Sequence, residues 1–266
     1  MRSVIQASRV SAVAIAGLLV AGTNPAQAAD DLMAKIKKNG VVRLCTTDSP
    51  PVAAKDPKTN EWQGTYIDMA NKFAATLNVK VEWVDSTWGT LVQYVTTGKC
   101  DISAAQTYIT AVRAQQVLFT RPITSNSQAI FVAADSPYKT IEDLDVAGKV
   151  VAVIAGSTNE KWGKETFTKA TIKPIVTDRQ STPLFEVASK RADATMMAVI
   201  ATMEVLDQNK NLKIRKLDVE PLFPIAEAWM LPYGEYHFQQ YVNIWLDEFI
   251  NSGEMKKLQK KWSRTN

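Results

Sequence analysis

The segment GKCDISAAQTYITAVR, residues 98–113, sets the interpretation of the whole chain. Asp101–Ala105 fits a buried strand. Thr110 follows after a short polar stretch, and threonine is a residue type that begins helices. Arg113 stands three residues beyond Thr110. The segment therefore predicts a strand that ends beside a helix start carrying a guanidinium group.

The residues before this segment predict two further strands separated by helices. A turn at Asn39-Gly40 opens a short apolar run, and the residues after the paired prolines alternate between helical and strand periodicity. The order strand, helix, strand, helix, strand is typical of right-handed crossovers that build a parallel sheet. The predicted elements are a leading helix at Asp31–Lys38, strands at Val41–Cys45 and Val79–Trp83, and helices at Ile67–Leu77 and Leu91–Val95.

The same pattern restarts after Ile130–Val132. A second α/β unit is therefore expected, with its own sheet separate from the first, each unit being close to the usual domain size. The tail returns to helix, with its apolar residues on one face. The elements are strands at Val150–Ile154, Lys173–Val176, Ala194–Val199 and Leu212–Ile214, and helices at Thr158–Ala170, Phe185–Lys190, Tyr241–Phe249 and Met255–Trp262.

Residues 1–28 have the features of a secretory signal peptide. Arg2 and Arg9 flank an acid-free start, an apolar run of about 13 residues follows, and Ala26-Gln27-Ala28 offers small residues for cleavage. The run is shorter than the ~20 residues that a membrane-spanning helix needs. No Cys near the expected cut after Ala28 offers a lipid anchor. The start predicts export to the periplasm.

Composition excludes several classes of function. The chain has 31 Lys and Arg against 27 Asp and Glu, a net charge of +4, and no basic run with interleaved aromatics, so a nucleic-acid partner is not expected. No Cys or His cluster predicts a metal, and no Gly-rich loop predicts a phosphate cofactor. His237 is the one histidine, and a surface position is expected for it.

Several spaced motifs give the chain a resemblance to a known family, the cluster-three periplasmic amino-acid-binding proteins of ABC importers. The resemblance covers about Gly40 to Trp262, and the order and spacing of the motifs make it specific. The motifs are Pro50-Pro51, Gly64–Ala70, Trp88, Gly98–Asp101, Tyr108–Arg113, Phe119–Pro122, Gly156-Ser157-Thr158, Gly253 and Lys261-Trp262.

The resemblance implies an α/β, two-lobed type II periplasmic binding protein with two hinge-crossing strands and a central ligand cleft. Lobe 1 would comprise residues 29–124 and 228–266, and lobe 2 residues 125–227 with the hinge strands. The family binds ligand by hinge closure and delivers it to a permease in the inner membrane. A monomer without a cofactor is expected.

Arg113 is the centre of the expected ligand site. A fixed guanidinium fork binds a carboxylate bidentately, and ligands of open α/β sheets lie at the carboxyl ends of strands, where this segment falls. Trp88 is expected to stack on the ligand, and the helix start at Ser157-Thr158 to offer amides and a hydroxyl to the same anion. Gln106, Tyr108 and Thr110 are expected to line the cleft beside Arg113.

Three positions depart from the family pattern. The family places an Asp five residues beyond its Arg-x-Asp motif to hold the ligand ammonium, but Arg191-Ala192-Asp193 leads here to Ala198. Tyr108 replaces a small hydroxyl residue, and Val52 replaces an aromatic one. Either Glu227 or Asp48 supplies the missing charge, or the ligand has no ammonium at that place.

Two relatives of the fold offer alternative functions, the cyclohexadienyl dehydratases and the accessory proteins of methanol dehydrogenases. A dehydratase would need a carboxylate shortly beyond position 198 for proton transfer. Val199–Thr202 contains none. An accessory protein without an anionic ligand would have little use for Arg113. The prediction is a binding protein and no enzyme.

Cys45 and Cys100 are predicted not to be joined, although both would lie in an oxidising compartment. If the parallel strands align with Thr46 beside Ala105, Cys100 falls four residues below the level of Cys45. At ~3.3 Å per residue the offset is about 13 Å, beyond the ~7 Å Cα separation that a bridge tolerates.

Overall fold

The computed structural model describes residues 31–220 and 222–262, and from Asp31 onward the chain forms one unit. The predicted signal peptide lies outside the described residues. Among the residues described, no helix is both long enough and apolar enough to cross a membrane.

The predicted helices are present with shifts at their ends, and a helix at Val199–Gln208 was not predicted, because the strand expected at Ala194–Val199 ends at Ala198. The predicted helix from Thr158 ends at Thr166 because Phe167 already has an extended backbone, and the Phe167 side chain is buried in the neighbouring core. In the described part of the chain the helices are α1 Leu32–Asn39, α2 Thr65–Thr76, α3 Leu91–Thr96, α4 Ala111–Ala114, α5 Thr158–Thr166, α6 Thr182–Ala188, α7 Val199–Gln208, α8 Tyr236–Asn251 and α9 Glu254–Trp262.

The strands alternate with these helices along most of the chain. Their buried faces carry the β-branched and small apolar residues from which they were predicted. In the described residues they are β1 Val41–Thr46, β2 Ala54–Lys55, β3 Trp62–Gln63, β4 Lys80–Asp85, β5 Ile102–Tyr108, β6 Val117–Phe119, β7 Thr124–Ala133, β8 Val150–Ile154, β9 Thr171–Ile175, β10 Ala194–Ala198, β11 Ile214–Lys216 and β12 Leu222–Pro232.

The prediction of two separate sheets is wrong, because hydrogen bonds connect ten of the strands into one sheet. The order is β4-β1-β5-β12-β7-β10-β8-β9, with β11 beside β7 and β6 beside β12. The connection is an antiparallel pairing of β12 with β7, in which Glu227 faces Thr124 and Ile225 faces Asn126. Long strands that run from one half into the other make the sheet continuous.

Each half of this sheet has the predicted crossovers. In the first half β1 is parallel to both β4 and β5, and α2 and α3 connect them. In the second half β8 is parallel to β9 and β10, with α5 and α6 between them. The mixture of parallel and antiparallel strands is the predicted α/β architecture.

The largest core lies in the first half, where α2, α8 and α9 pack on one face of the sheet. Phe73 and Trp229 are fully buried there. The ring of Trp245 lies 5.1 Å from Phe73 edge-on and 6.2 Å from Trp229 in a stacked arrangement. Aromatic pairs of this kind stabilise a core beyond the area that they bury. This packing fixes the tail to the first half, as its apolar face predicted.

The prediction that Cys45 and Cys100 stay apart is wrong, because the two residues form a disulfide with a Cα–Cα distance of 5.7 Å. Two assumptions failed. Cys45 pairs with Ser103, one residue away from the assumed alignment. More importantly, Cys100 precedes β5 and does not extend its line: its amide bonds the carbonyl of Tyr94, so the chain turns back over the face of β1.

This bridge gives a first prediction, that replacing both cysteines by alanine lowers the free energy of unfolding by about 2–4 kcal/mol. The bond closes a loop across a sequence separation of 55 residues, which restricts the unfolded chain. Urea unfolding of the double variant and of the oxidised protein measures the difference. Digestion of the unreduced protein should yield a peptide that links Cys45 and Cys100, and two free thiols would contradict the structure.

Candidate functional site

A narrow cavity lies between the two halves of the sheet. It is found at the carboxyl ends of β5, β8 and β10, the edge at which open α/β sheets bind ligands. The lining residues are Ser49, Trp88, Gln106, Tyr108, Arg113, Asn126, Ile154, Ser157, Thr158, Asn159, Gln180, Met197, Ala198, Ala201 and Glu227.

Arg113 provides the cation of this cavity. Thr110 accepts a hydrogen bond from the Arg113 amide at 3.3 Å and so caps α4, and the guanidinium donates to the carbonyl oxygen of Tyr108 at 3.1 Å. Burial lowers the pKa of Arg113 to about 10. Among the described residues no carboxylate forms an ion pair with it. A partly buried cation without a protein counter-charge favours an anionic ligand.

The start of α5 reaches the same cavity from the second half. Ser157 caps the helix, accepting from the amide of Glu160 at 3.3 Å and donating to the carbonyl of Ile154 at 2.6 Å. Thr158 is the first residue of the helix and lines the cavity. The first amides of a helix have no partner within it and carry partial positive charge. Arg113 and this helix start therefore offer donors from opposite sides.

Glu227 is the acidic side chain that lines the cavity, and only 3% of its surface is exposed. It accepts hydrogen bonds from the side-chain amide of Gln106 at 3.1 Å and from the hydroxyl of Thr124 at 2.6 Å. Tyr66 lies behind it, with its hydroxyl 2.9 Å from that of Thr124. Burial raises the pKa of Glu227 to about 7, against the opposing effect of these hydrogen bonds.

Two aromatic residues form walls of the cavity. The hydroxyl of Tyr108 accepts a hydrogen bond from the side chain of Gln128, and burial raises the pKa of Tyr108. The ring of Tyr108 lies 6.0 Å from that of Trp162. Trp88 is half-buried and also packs on the core that holds the disulfide. Both side chains therefore line the cavity and are held in place by contacts with neighbouring residues.

Two predicted site residues do not line the cavity. Thr110 is occupied in capping α4. Asp48 lies where the two halves meet: its carbonyl oxygen accepts from the amide of Gln180 at 3.2 Å, in a short parallel bridge with Arg179. Burial raises the pKa of Asp48 to about 6, and the charge of Arg179 opposes that shift.

A second contact between the halves lies beside Trp88 and Ser157. Gly156 has a φ of 72°, and a Cβ added to it would meet the Cα of Gly89 at 2.5 Å. Only glycine fits this approach, because any side chain would push the two halves apart. The cavity is therefore bordered by two backbone contacts, at Gly89 and at Asp48.

Sequence reasoning missed several polar residues of the cavity. Asn126 lies close to the predicted lobe boundary at residues 124/125, and Asn159 directly follows Thr158. These positions could have indicated that both residues line the cavity. Gln180 lies in a loop with no recognisable pattern. The side-chain carbonyl oxygens of all three are buried without a hydrogen-bond partner. Such oxygens are available to donors on a ligand.

Ala198, the departure noted in the sequence, also lines the cavity. It ends β10 and stands at the N-cap of α7, where it provides no side-chain hydrogen bond. The family places a carboxylate at this position. Because Ala198 has none, its side chain can neither cap α7 nor bind a ligand ammonium.

The raised pKa of Glu227 gives a second prediction. Its folded pKa of about 7 lies above its ordinary value of 4.5, so the folded state holds the proton more tightly. Stability from this group is complete below about pH 4.5 and is lost as the pH rises through 7, by up to about 3 kcal/mol. Glu227→Gln should therefore gain stability relative to the parent protein between pH 5 and 8.

Urea unfolding at pH 5, 6, 7 and 8 measures this difference, with the exposed Glu61→Gln as a matched control. Asp48 titrates in an overlapping range but is present in all three proteins, so its effect cancels. Parallel pH profiles for the parent and Glu227→Gln would show that Glu227 has an ordinary pKa.

The sequence and the fold of this chain are similar to those of several known proteins. Cyclohexadienyl dehydratase of Pseudomonas aeruginosa is 25% identical over 252 residues, which cover 94% of this chain and 92% of that protein. The glutamine-binding protein of a Bacillus subtilis ABC transporter is 25% identical over 236 residues, covering 87% of this chain and 84% of that protein.

Among solved structures, an ancestral amino acid-binding protein described as a precursor of cyclohexadienyl dehydratase is 31% identical. The two structures superpose with a TM-score of 0.77 over 86% of this chain and 98% of the ancestral one. Residues 42–265 match the profile of the bacterial extracellular solute-binding proteins, family 3. With this match over nearly all of the described residues, the chain belongs to that family.

Proposed function

We propose that this protein is the periplasmic solute-binding component of an ABC importer, and that it captures a small carboxylate ligand, an amino acid or a related organic acid. The observation that carries the proposal is Arg113, a partly buried guanidinium with no acidic partner among the described residues, placed in a cavity between two halves of the fold. A carboxylate is the simplest ligand that would offset the cost of burying this charge.

The two sides of the cavity would act as a clamp. Arg113 holds the carboxylate from the first half, and the amides and hydroxyl at Ser157-Thr158 bind the same group from the second. Trp88 and Tyr108 cover the remainder of the ligand. The paired strands β7 and β12 support a hinge between lobes bounded near residues 124/125 and 227/228, and the contact of Gly89 with Gly156 corresponds to the closed arrangement.

Two observations support a cellular role in the periplasm, namely the signal-peptide pattern of residues 1–28 and the known relatives. Residues 1–28 predict a signal peptide cut after Ala28, and the lysine/arginine/ornithine-binding relative of Escherichia coli, 28% identical over 164 residues, is a periplasmic protein. We infer that the mature protein is a periplasmic monomer that passes its ligand to an inner-membrane permease, without a nucleic-acid partner.

The third prediction concerns Arg113. Arg113→Ala should weaken binding of a carboxylate ligand by roughly 2–5 kcal/mol, because the ligand charge would stay buried and unpaired. Thermal shift against amino acids, keto acids, dicarboxylates and aromatic acids identifies a ligand, and calorimetry then measures both proteins. Arg121→Ala, which removes an exposed arginine paired with Asp247, is the matched control. Equal affinity in the Arg113 variant would end the proposal.

The structure favours Glu227 over Asp48 as the group that faces a ligand ammonium. Glu227 lines the cavity and Asp48 does not. Asn126 lies beside Glu227 in the paired strands and has an unpartnered carbonyl oxygen, which adds a second acceptor. We therefore infer an α-amino acid whose ammonium lies toward Glu227, in place of the carboxylate that Ala198 lacks.

A fourth prediction tests this placement by the number of protons released when the ligand binds. A cation beside Glu227 lowers its pKa, so binding near pH 7 should release up to about half a proton, and Glu227→Gln should release none. Calorimetry in buffers of different ionisation enthalpy counts the protons. If the matching des-amino acid binds equally well and no proton is released, the ligand carries no ammonium at Glu227.

A second candidate function is a dehydratase, which the Pseudomonas relative and the raised pKa of Glu227 favour. A carboxyl group that is half protonated near neutral pH is suited to protonate a departing hydroxyl group. The helix that follows Ala198 has no acid in its first turn, so Glu227 would have to act from another direction. Mass spectrometry of ligand recovered after saturation distinguishes the two functions: a binding protein returns the ligand unchanged.

A further inference from the structure

A second cavity adjoins the first and has no role in the clamp described above. It opens toward solvent between the paired prolines and α7. Four residues line both cavities, namely Gln106, Asn126, Ala201 and Glu227. The two spaces therefore meet at Glu227.

Apolar residues provide part of the lining of this second cavity. Val199, Ile200 and Met203 project from the first turns of α7, and Pro51 and Val52 form the opposite wall. Ile200 is 63% exposed and Met203 48%. Large apolar side chains exposed together on one helix face usually mark a surface that contacts a ligand or a partner. Glu204 and Asp207 of the same helix also line this cavity, in addition to Glu227 at the junction, and Asp207 pairs with Lys210.

A short path leads from the carboxylate clamp to this apolar space. The guanidinium of Arg113 bonds the carbonyl of Tyr108, and Tyr108 faces Glu227 across the ladder of β5 and β12. Residues that face each other in an antiparallel pair lie about 5 Å apart at Cα. A ligand held at Arg113 thus needs only a few bonds to reach the junction of the cavities.

We propose that the natural ligand carries an apolar extension beyond its carboxylate head, and that this extension lies in the second cavity between Pro51-Val52 and α7. This inference rests on the proposed function, because the head is the group that Arg113 holds. The ligand class is then a carboxylic or amino acid with a side chain of at least about five carbon atoms, larger than the smallest amino acids. The departure at Val52, which replaces an aromatic residue, leaves room for such a chain.

The fifth prediction is measured with two series of unbranched probes, propanoate to octanoate and alanine to 2-aminooctanoic acid. Affinity should rise by about twofold to fourfold for each methylene that enters the apolar space, since burial of one methylene gives up to about fourfold. Competition calorimetry on the mature protein gives the series. Affinity that does not change with chain length would overturn the extension while leaving the clamp in place.

Substitutions in α7 test whether the apolar extension and the carboxylate head of the ligand bind at different places. Ile200→Ser combined with Met203→Ser should weaken octanoate and 2-aminooctanoic acid about tenfold and change the shortest acids by less than twofold. Ile244→Ser, at an isoleucine of α8 that is 52% exposed, is the matched control. Both sites are exposed, so folding is retained. Equal loss for short and long probes would contradict the proposal, and failure of every acid to bind would contradict the proposed function itself.

Discussion

The pairing of β7 with β12 is the constraint on which the rest of the structure depends. These two strands continue from one half of the sheet into the other, and their ladder sets Glu227 opposite Thr124 and Ile225 opposite Asn126. The same strands contact β5 on one side and β10 on the other. The carboxyl ends of strands from both halves therefore face one cavity, and the position of each lining residue follows from the register of this ladder.

The electrostatics of the cavity depend on two buried groups that do not neutralise each other. Arg113 loses hydration, and its guanidinium donates to the carbonyl of Tyr108 among the residues that the structure describes. Glu227 loses hydration and accepts hydrogen bonds from Gln106 and Thr124. Burial lowers the pKa of the first to about 10 and raises that of the second to about 7. Both shifts show that burial disfavours the charged form of each group. A ligand that carries a carboxylate for Arg113 and an ammonium for Glu227 would stabilise both charged forms.

Local pattern predicted most of the elements, and the two main failures have different causes. The strands at β1, β5 and β8 and the helices between them were visible because apolar periodicity follows the chain. The disulfide was missed because Cys100 was placed by extending a strand that begins only at Ile102, and the turn at Gly98, with a φ of 69°, redirects the chain. The single sheet was missed because pairing between β7 and β12 joins residues nearly one hundred positions apart.

The sequence by itself determined the α/β class and the family, because both depend on residues close together in the chain, and it made Arg113 the expected anion-binding residue. Helix periodicity, the cap at Thr110 and the motif around Arg113 are local features. Only the tertiary structure decided that Glu227 and not Asp48 lines the cavity, that Thr110 is a cap, and that the paired prolines and α7 enclose a second space. These facts depend on how the two halves approach at Gly89 and Gly156, a contact between distant segments that no local pattern encodes.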